Sequence, residues 1–188
     1  METWRNGEKN STLILRVTAS LCIGDPRLNL NMNAKRRNDL VVFFATGCFT
    51  GFLPLMPGTW GTFAAIPIVI LVHRVNLIVQ GIIALVFVAF AAWVAGRAEI
   101  LLEDRDPRPI VIDEMAGFLI SLLWLPLNPL TLCLGFGLFR VFDIVKPPPI
   151  SSVEKRMRGG WGVVIDDVLA GVFTNAILRL LLIVAGLL

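Results

Sequence analysis

Long runs of apolar residues, separated by short polar segments, dominate the chain after position 40. Residues 77–95 form an apolar run without a charged residue, close to the ~20 residues that a helix needs to cross a bilayer core. Further runs occur at residues 110–125, 130–145 and 163–188. The pattern therefore predicts an all-α fold, a polytopic membrane helix bundle.

The first apolar segment, residues 40–72, is interrupted by prolines and glycines. Proline removes a helical hydrogen bond and breaks or kinks the helix, which a membrane protein tolerates only where the freed backbone groups are covered. We expect this segment to be broken. The segment either crosses the membrane or re-enters it, with residues 57–59 turned back to the starting face. Counted with the later apolar runs, it gives about five spans, of which this first one is broken or re-entrant.

The amino-terminal residues 1–39 are polar and basic, and their apolar piece at 13–23 is interrupted by Arg16. That piece is too short to cross a bilayer. We expect an amino-terminal extension without a catalytic role, followed by a membrane-embedded domain at residues 40–188.

Composition and charge support this interpretation, because 56% of the residues are hydrophobic and 16% are charged. Basic residues concentrate in the amino-terminal segment and in the connections 96–109 and 146–162, whereas connection 126–129 carries no charge. Cytoplasmic loops are enriched in Lys and Arg, so the basic connections are predicted to be cytoplasmic. The modest net charge of +3 does not indicate nucleic-acid binding.

Ionisable side chains lie inside the last three spans, where each costs about 2.5–3.5 kcal/mol at mid-bilayer. They occur near the start of the third span, the end of the fourth and the start of the fifth: Asp113, Glu114, Arg140, Asp143, Asp166 and Asp167. Consecutive spans alternate in direction, so these positions share one face of the membrane. The sequence predicts that the five carboxylates converge near the cytoplasmic head groups.

Five converging carboxylates repel one another unless cations compensate them. Few basic residues are within reach, chiefly Arg140 and Lys146. A divalent cation is the simplest compensation, and all-oxygen ligands favour magnesium or manganese over zinc. The alternative is that each acidic pair only favours the positive end of a helix dipole.

The two acidic pairs have similar surroundings. Residues 111–118 and 164–171 each contain two apolar residues, two acidic residues and then Ala-Gly, with an offset of one residue. Small residues about one turn along a helix let neighbouring backbones approach closely. The pattern predicts that the two acidic helix starts lie together.

Three features near the acidic pairs have two interpretations each. Arg140 and Asp143, spaced i, i+3, form either a structural salt bridge or a phosphate-facing arginine oriented by its carboxylate. Lys146 is either a phosphate ligand or a snorkelling anchor. Residues 57–62 are either an anion-binding turn before a helix that begins near Thr62, or a plain helix break with a threonine cap.

Four segments, taken together, resemble the phosphatidylglycerophosphatase A family: residues 57–67, 110–117, 139–149 and 159–171. The resemblance extends from about Gly47 to Leu178. It implies a magnesium-dependent monoester phosphatase of the plasma membrane that makes phosphatidylglycerol from phosphatidylglycerophosphate, with the carboxylate segments as the active centre. The implied partners are this lipid and the bilayer.

The resemblance does not assign a nucleophile, so the roles below follow from the chemistry of the residues. The expected Mg2+ ligands are Asp113, Glu114, Asp166 and Asp167. The expected catalytic residues are Asp143 as general base, with Arg140 and Lys146 stabilising the phosphate oxygens. The expected substrate-binding residues are Gly58, Thr59 and Gly61. An aspartyl-phosphate formed on Asp143 or Asp113 is the alternative mechanism.

The rival function is an ion or solute carrier that uses the carboxylates as a pathway. A pathway must cross the bilayer, whereas residues 118–125 and 130–137, in the outer halves of two spans, contain no ionisable side chain. This distribution favours an enzyme whose active site lies at the cytoplasmic face of the membrane.

Overall fold

A computed structural model describes residues 32–54, 56–102, 107–147 and 159–187, and these residues contain helices and no β-strand. The apolar piece at 13–23, and most of the predicted extension 1–39, lie outside the described residues. The helices are α1 (Met32–Ala45), α2 (Pro57–Val72), α3 (Leu77–Leu102), α4 (Ile112–Leu122), α5 (Pro129–Val145) and α6 (Gly160–Val184), with a short 3-10 helix at Thr50–Phe52.

The chain divides into two compact units, Met1–Val41 and Val42–Leu188. The described part of the first unit, residues 32–41, is the amino-terminal portion of α1. The helices α2 to α6 belong to the second unit.

The apolar segment 40–72 is broken, as predicted, but the predicted helix start near Thr62 is wrong. The helix α2 begins at Pro57. Proline suits the first helical position because it has the right φ and no N–H that needs a partner. Thr62 lies inside the helix, where its buried hydroxyl donates to the carbonyl of Gly58 at 2.8 Å.

Two helices, α3 and α6, are long and apolar enough to cross a membrane. They contain 26 and 25 residues, and their most apolar windows have mean hydropathies of 2.5 and 1.9. The helices α2, α4 and α5 contain 16, 11 and 17 residues. The predicted span at residues 110–125 therefore contains a helix of only about 16 Å, roughly half the thickness of a bilayer core.

The short helix α4 is the centre of the bundle. It packs against α2, α3, α5 and α6, and nine of its eleven residues are buried. Phe118, Leu119 and Leu122 are among the largest fully buried side chains of the core. Because its neighbours cover it on all sides, α4 faces protein rather than the surroundings.

Glycines allow α4 and α6 to approach closely, as predicted from their Ala-Gly pairs. A Cβ on Gly117 would clash with the backbone carbonyl of Asp167, and a Cβ on Gly171 would clash with the carbonyl of Gly117. The two helices run parallel, so this contact brings both acidic helix starts to the same end of the bundle. We call it the site end.

At the opposite end, side chains from α6 and from the residue after α2 contact the last carbonyls of α4. The Nδ2 group of Asn175 donates to the carbonyls of Ile120 and Leu123, and a ring nitrogen of His73 lies 3.1 Å from the carbonyl of Leu122. Unpaired carbonyls are costly away from water. These contacts explain how α4 ends after eleven residues inside an apolar bundle.

Candidate active site

A pocket of about 220 Å3 opens at the site end. The starts of α2, α4 and α6 and the end of α5 surround it. Its lining is Pro57, Arg108, Ile110, Asp113, Glu114, Asp143, Lys146, Val163, Asp166 and Asp167. The convergence of five carboxylates, predicted from the alternation of the spans, is confirmed.

Three of these acids form a compact group, which we call the carboxylate trio: Asp113, Glu114 and Asp167. Each offers an oxygen within 4.8 Å of the others, and Asp113 and Asp167 are only 6% and 3% exposed. Oε2 of Glu114 and Oδ1 of Asp167 are buried and have no hydrogen-bond partner among the described residues. Buried carboxylate oxygens without donors suit a hard divalent cation.

The fourth expected ligand, Asp166, lies in the pocket wall but outside the trio. Its Oδ2 is paired with the Nζ group of Lys146. Successive residues of a helix point roughly 100° apart, so Asp166 and Asp167 face different neighbours. Lys146 follows the last turn of α5 in a left-handed conformation, with φ 44° and ψ 58°.

The arginine of α5 is engaged with its own helix. Nη1 of Arg140 donates to Oδ2 of Asp143 at 2.5 Å, and the two side chains are 13% and 12% exposed. Asp143 lines the pocket, beside Asp167, whereas Arg140 does not line it. The geometry therefore contains the salt bridge, with Arg140 behind Asp143 and holding one of its oxygens.

The first turn of α2 packs against the site. A Cβ on Gly58 would clash with the carboxylate of Glu114 and lie 3.0 Å from Nη1 of Arg140. A Cβ on Gly61 would lie 2.5 Å from the Cβ of Val111. Both glycines thus make room for neighbouring residues, which is a packing role, and their predicted contact with substrate stays a prediction.

The predicted anion-binding turn has fewer free N–H groups than expected. The N–H groups of Thr59 and Trp60 both donate to the carbonyl of Met56. The hydroxyl of Thr59 is buried and has no partner among the described residues. The Thr59 hydroxyl is therefore a group of this turn with hydrogen-bonding capacity to spare.

Sequence reasoning missed Arg108, which lines the pocket although its position served only to assign loop topology. It lies in the connection between α3 and α4, four residues before the first helical residue of α4. The Pro-Arg-Pro sequence at 107–109, placed directly before an acidic helix start, was the available signal.

The described residues form a helical bundle with two helices long and apolar enough to cross a membrane and a carboxylate-lined pocket at one end, which are features expected of a helical membrane enzyme. The pocket is confined to the site end among the described residues, so nothing in it supports the alternative of a carrier.

Comparison with known proteins identifies the family. A family model for phosphatidylglycerophosphatase A matches residues 43–182, and the chain belongs to this family. It is therefore a phosphoric monoester hydrolase. The match includes all the acidic residues of the pocket.

Three curated relatives are similar over most of the chain. A Bacteroides thetaiotaomicron protein with the provisional name phosphatidylinositol-3-phosphatase is 38% identical over an alignment of 148 residues, and the alignment covers 74% of this chain and 92% of the relative. The phosphatidylglycerophosphatase A of Escherichia coli K12 is 33% identical over 71% of this chain and 78% of its own length. That of Haemophilus influenzae Rd is 32% identical over 69% and 80%. No solved structure matches the chain significantly.

Proposed function

We propose that this protein is a magnesium-dependent phosphatase that hydrolyses phosphatidylglycerophosphate to phosphatidylglycerol and phosphate in phospholipid biosynthesis. The observation that carries the proposal is the carboxylate trio at one end of an apolar bundle, in a chain of the phosphatidylglycerophosphatase A family.

The trio fits magnesium by its chemistry. Asp113, Glu114 and Asp167 supply only oxygen donors, and their buried, closely spaced carboxylates need a cation to offset their repulsion. Held there, magnesium would neutralise phosphate charge and help to activate water. The sequence suggested Asp166 as a fourth ligand; in our proposal Asp166 instead fixes Lys146.

The remaining polar residues divide the other tasks. Asp143, with one oxygen held by Arg140, is the general base that removes a proton from the attacking water. Lys146 is held at the pocket by Asp166 and donates to the phosphate oxygens as charge redistributes. Arg140 acts as a positioning residue for Asp143.

Substrate recognition is limited to the head group. The pocket of about 220 Å3 is smaller than the ~300–1,000 Å3 of sites that enclose a drug-sized ligand. The acyl chains therefore stay outside the pocket, beside the apolar helices. The lipid is recognised through its phosphorylated head group.

The site end lies at the cytoplasmic face of a plasma membrane that the chain crosses several times. Trp93 of α3 and Trp161 of α6 are about half exposed, and they neighbour the contact of Ala92 with Gly160. Tryptophan is enriched at membrane–water interfaces. These residues support an interface level with the site end, where a lipid phosphate would lie.

A substrate panel tests the proposal. Purified protein in mixed micelles with magnesium is given phosphatidylglycerophosphate, phosphatidylinositol 3-phosphate or phosphatidic acid, and released phosphate is measured. We expect the highest kcat/KM with phosphatidylglycerophosphate. A preference for the phosphoinositide, the substrate class in the name of the Bacteroides relative, would replace our substrate while keeping the reaction class.

A further inference from the structure

The pocket is lined by a basic side chain that has no role in the proposed reaction. Among the described residues, its basic lining consists of Arg108 and Lys146. Lys146 is paired with Asp166, whereas no ion pair of Arg108 with a described carboxylate is found. Arg108 is exposed. Its guanidinium therefore lies at the rim of the pocket and forms no ion pair with the described carboxylates of the pocket.

The backbone that carries Arg108 is fixed on both sides. Its neighbours Pro107 and Pro109 are buried, and proline restricts φ to about −65°. The N–H of Ile110 donates to the carbonyl of Pro107 at 2.9 Å. Gly51 lies so close to the carbonyl of Pro109 that a Cβ would clash there. Arg108 is thus carried by a restrained backbone at residues 107–110.

Phosphatidylglycerophosphate carries two phosphate groups, and the carboxylate trio accounts for the binding of one of them. The terminal monoester, which is hydrolysed, belongs at the buried carboxylates. One glycerol unit away, toward the lipid, lies the phosphodiester, which is also anionic. A guanidinium matches phosphate oxygens with two parallel hydrogen bonds. From its place at the rim we infer that Arg108 binds this phosphodiester and so selects lipids that carry a second phosphate; this inference rests on the proposed function.

The test compares Arg108→Gln with Arg97→Gln, a control at an exposed arginine of α3 that does not line the pocket. We expect Arg108→Gln to lower kcat/KM for phosphatidylglycerophosphate about 10- to 100-fold, the range for a lost hydrogen bond to a charged group. The kcat/KM of Arg108→Lys should lie between those of wild type and Arg108→Gln, because lysine keeps the charge and loses the two parallel hydrogen bonds of the guanidinium. Arg97→Gln should match wild type.

Inhibition by products tells which phosphate Arg108 binds. Phosphatidylglycerol carries only the phosphodiester, whereas inorganic phosphate resembles only the released group. Arg108→Gln should raise the inhibition constant of phosphatidylglycerol about tenfold or more and leave that of phosphate within about twofold of wild type. Equal weakening of both inhibitors, unchanged inhibition, or no inhibition of the wild type by phosphatidylglycerol would overturn the inference. Absence of phosphatidylglycerophosphate turnover in the wild type would instead refute the proposed function.

Discussion

The contact between α4 and α6 gives the sharpest test of how the fold builds the site. A Cβ on Gly117 would clash with the backbone carbonyl of Asp167 and lie 2.7 Å from Cε2 of Phe139. Ordinary carbon contacts are near 3.5–4.0 Å, so Gly117→Ala must push α6 or Phe139 away by roughly 1 Å. Gly137 of α5 is the matched control, because a Cβ there has nothing within 4 Å.

The two substitutions should change the free energy of unfolding in opposite directions. Overpacking at Gly117 costs about 1–3 kcal/mol, which exceeds the ~0.8–1.0 kcal/mol that alanine gains over glycine in a helix. At Gly137 only the gain applies, so Gly137→Ala should be neutral or more stable than wild type. Because Asp167 belongs to the trio, a shift of about 1 Å should also lower turnover about a hundredfold in Gly117→Ala.

Both effects are measured on purified protein in detergent. Thermal unfolding reports stability, and phosphate release over a magnesium titration reports turnover and the magnesium concentration at half-maximal rate. We expect Gly117→Ala to need more magnesium than wild type and Gly137→Ala to behave as wild type. If both alanine variants have wild-type stability and magnesium dependence, the close approach of α4 and α6 does not position the trio.

Two further predictions concern neighbouring charges of the site. Asp167→Asn should lower turnover by more than the ~10–100-fold cost of losing a residue that only supports a metal ligand, and its turnover should recover partly at high magnesium. Asp166→Asn removes the partner of Lys146 and should keep the wild-type magnesium concentration at half-maximal rate. If both variants need the same magnesium concentration for half-maximal rate, our ligand set is contradicted. Lys146→Ala and Lys146→Gly should be equally impaired in turnover, yet the glycine variant should unfold at the higher temperature. The left-handed conformation at this position costs a residue with a Cβ about 1–2 kcal/mol. Glycine avoids this cost and loses only about 0.5–1 kcal/mol through its greater freedom in the unfolded chain. A more stable alanine variant would show that this backbone conformation is not maintained.

The apolar pattern and the acidic pairs predicted much of the site. Alternation of the spans placed Asp113, Asp143 and Asp167 at one end, and the Ala-Gly pairs predicted the approach of α4 to α6. Both inferences depend on local periodicity and on helix direction, which a single sequence displays. For that reason the convergence of the carboxylates did not need the structure.

Other features depend on contacts between distant parts of the chain. The apolar run at 110–125 does not reveal that α4 ends at Leu122, because the groups that satisfy its carbonyls come from His73 and Asn175. Neither could the sequence separate Asp166 from Asp167, since helix rotation decides which carboxylate faces the trio. The place of Arg108 at the pocket likewise depends on the packing of the neighbouring Pro109 against Gly51.

The central claim is that carboxylates at the site end hold a magnesium ion needed to hydrolyse phosphatidylglycerophosphate. The most direct measurement is the initial rate of phosphate release from this lipid by purified, metal-stripped protein as magnesium is added back. We predict no turnover in chelator and a saturable return of activity with magnesium. Full turnover in the presence of chelator would contradict the account.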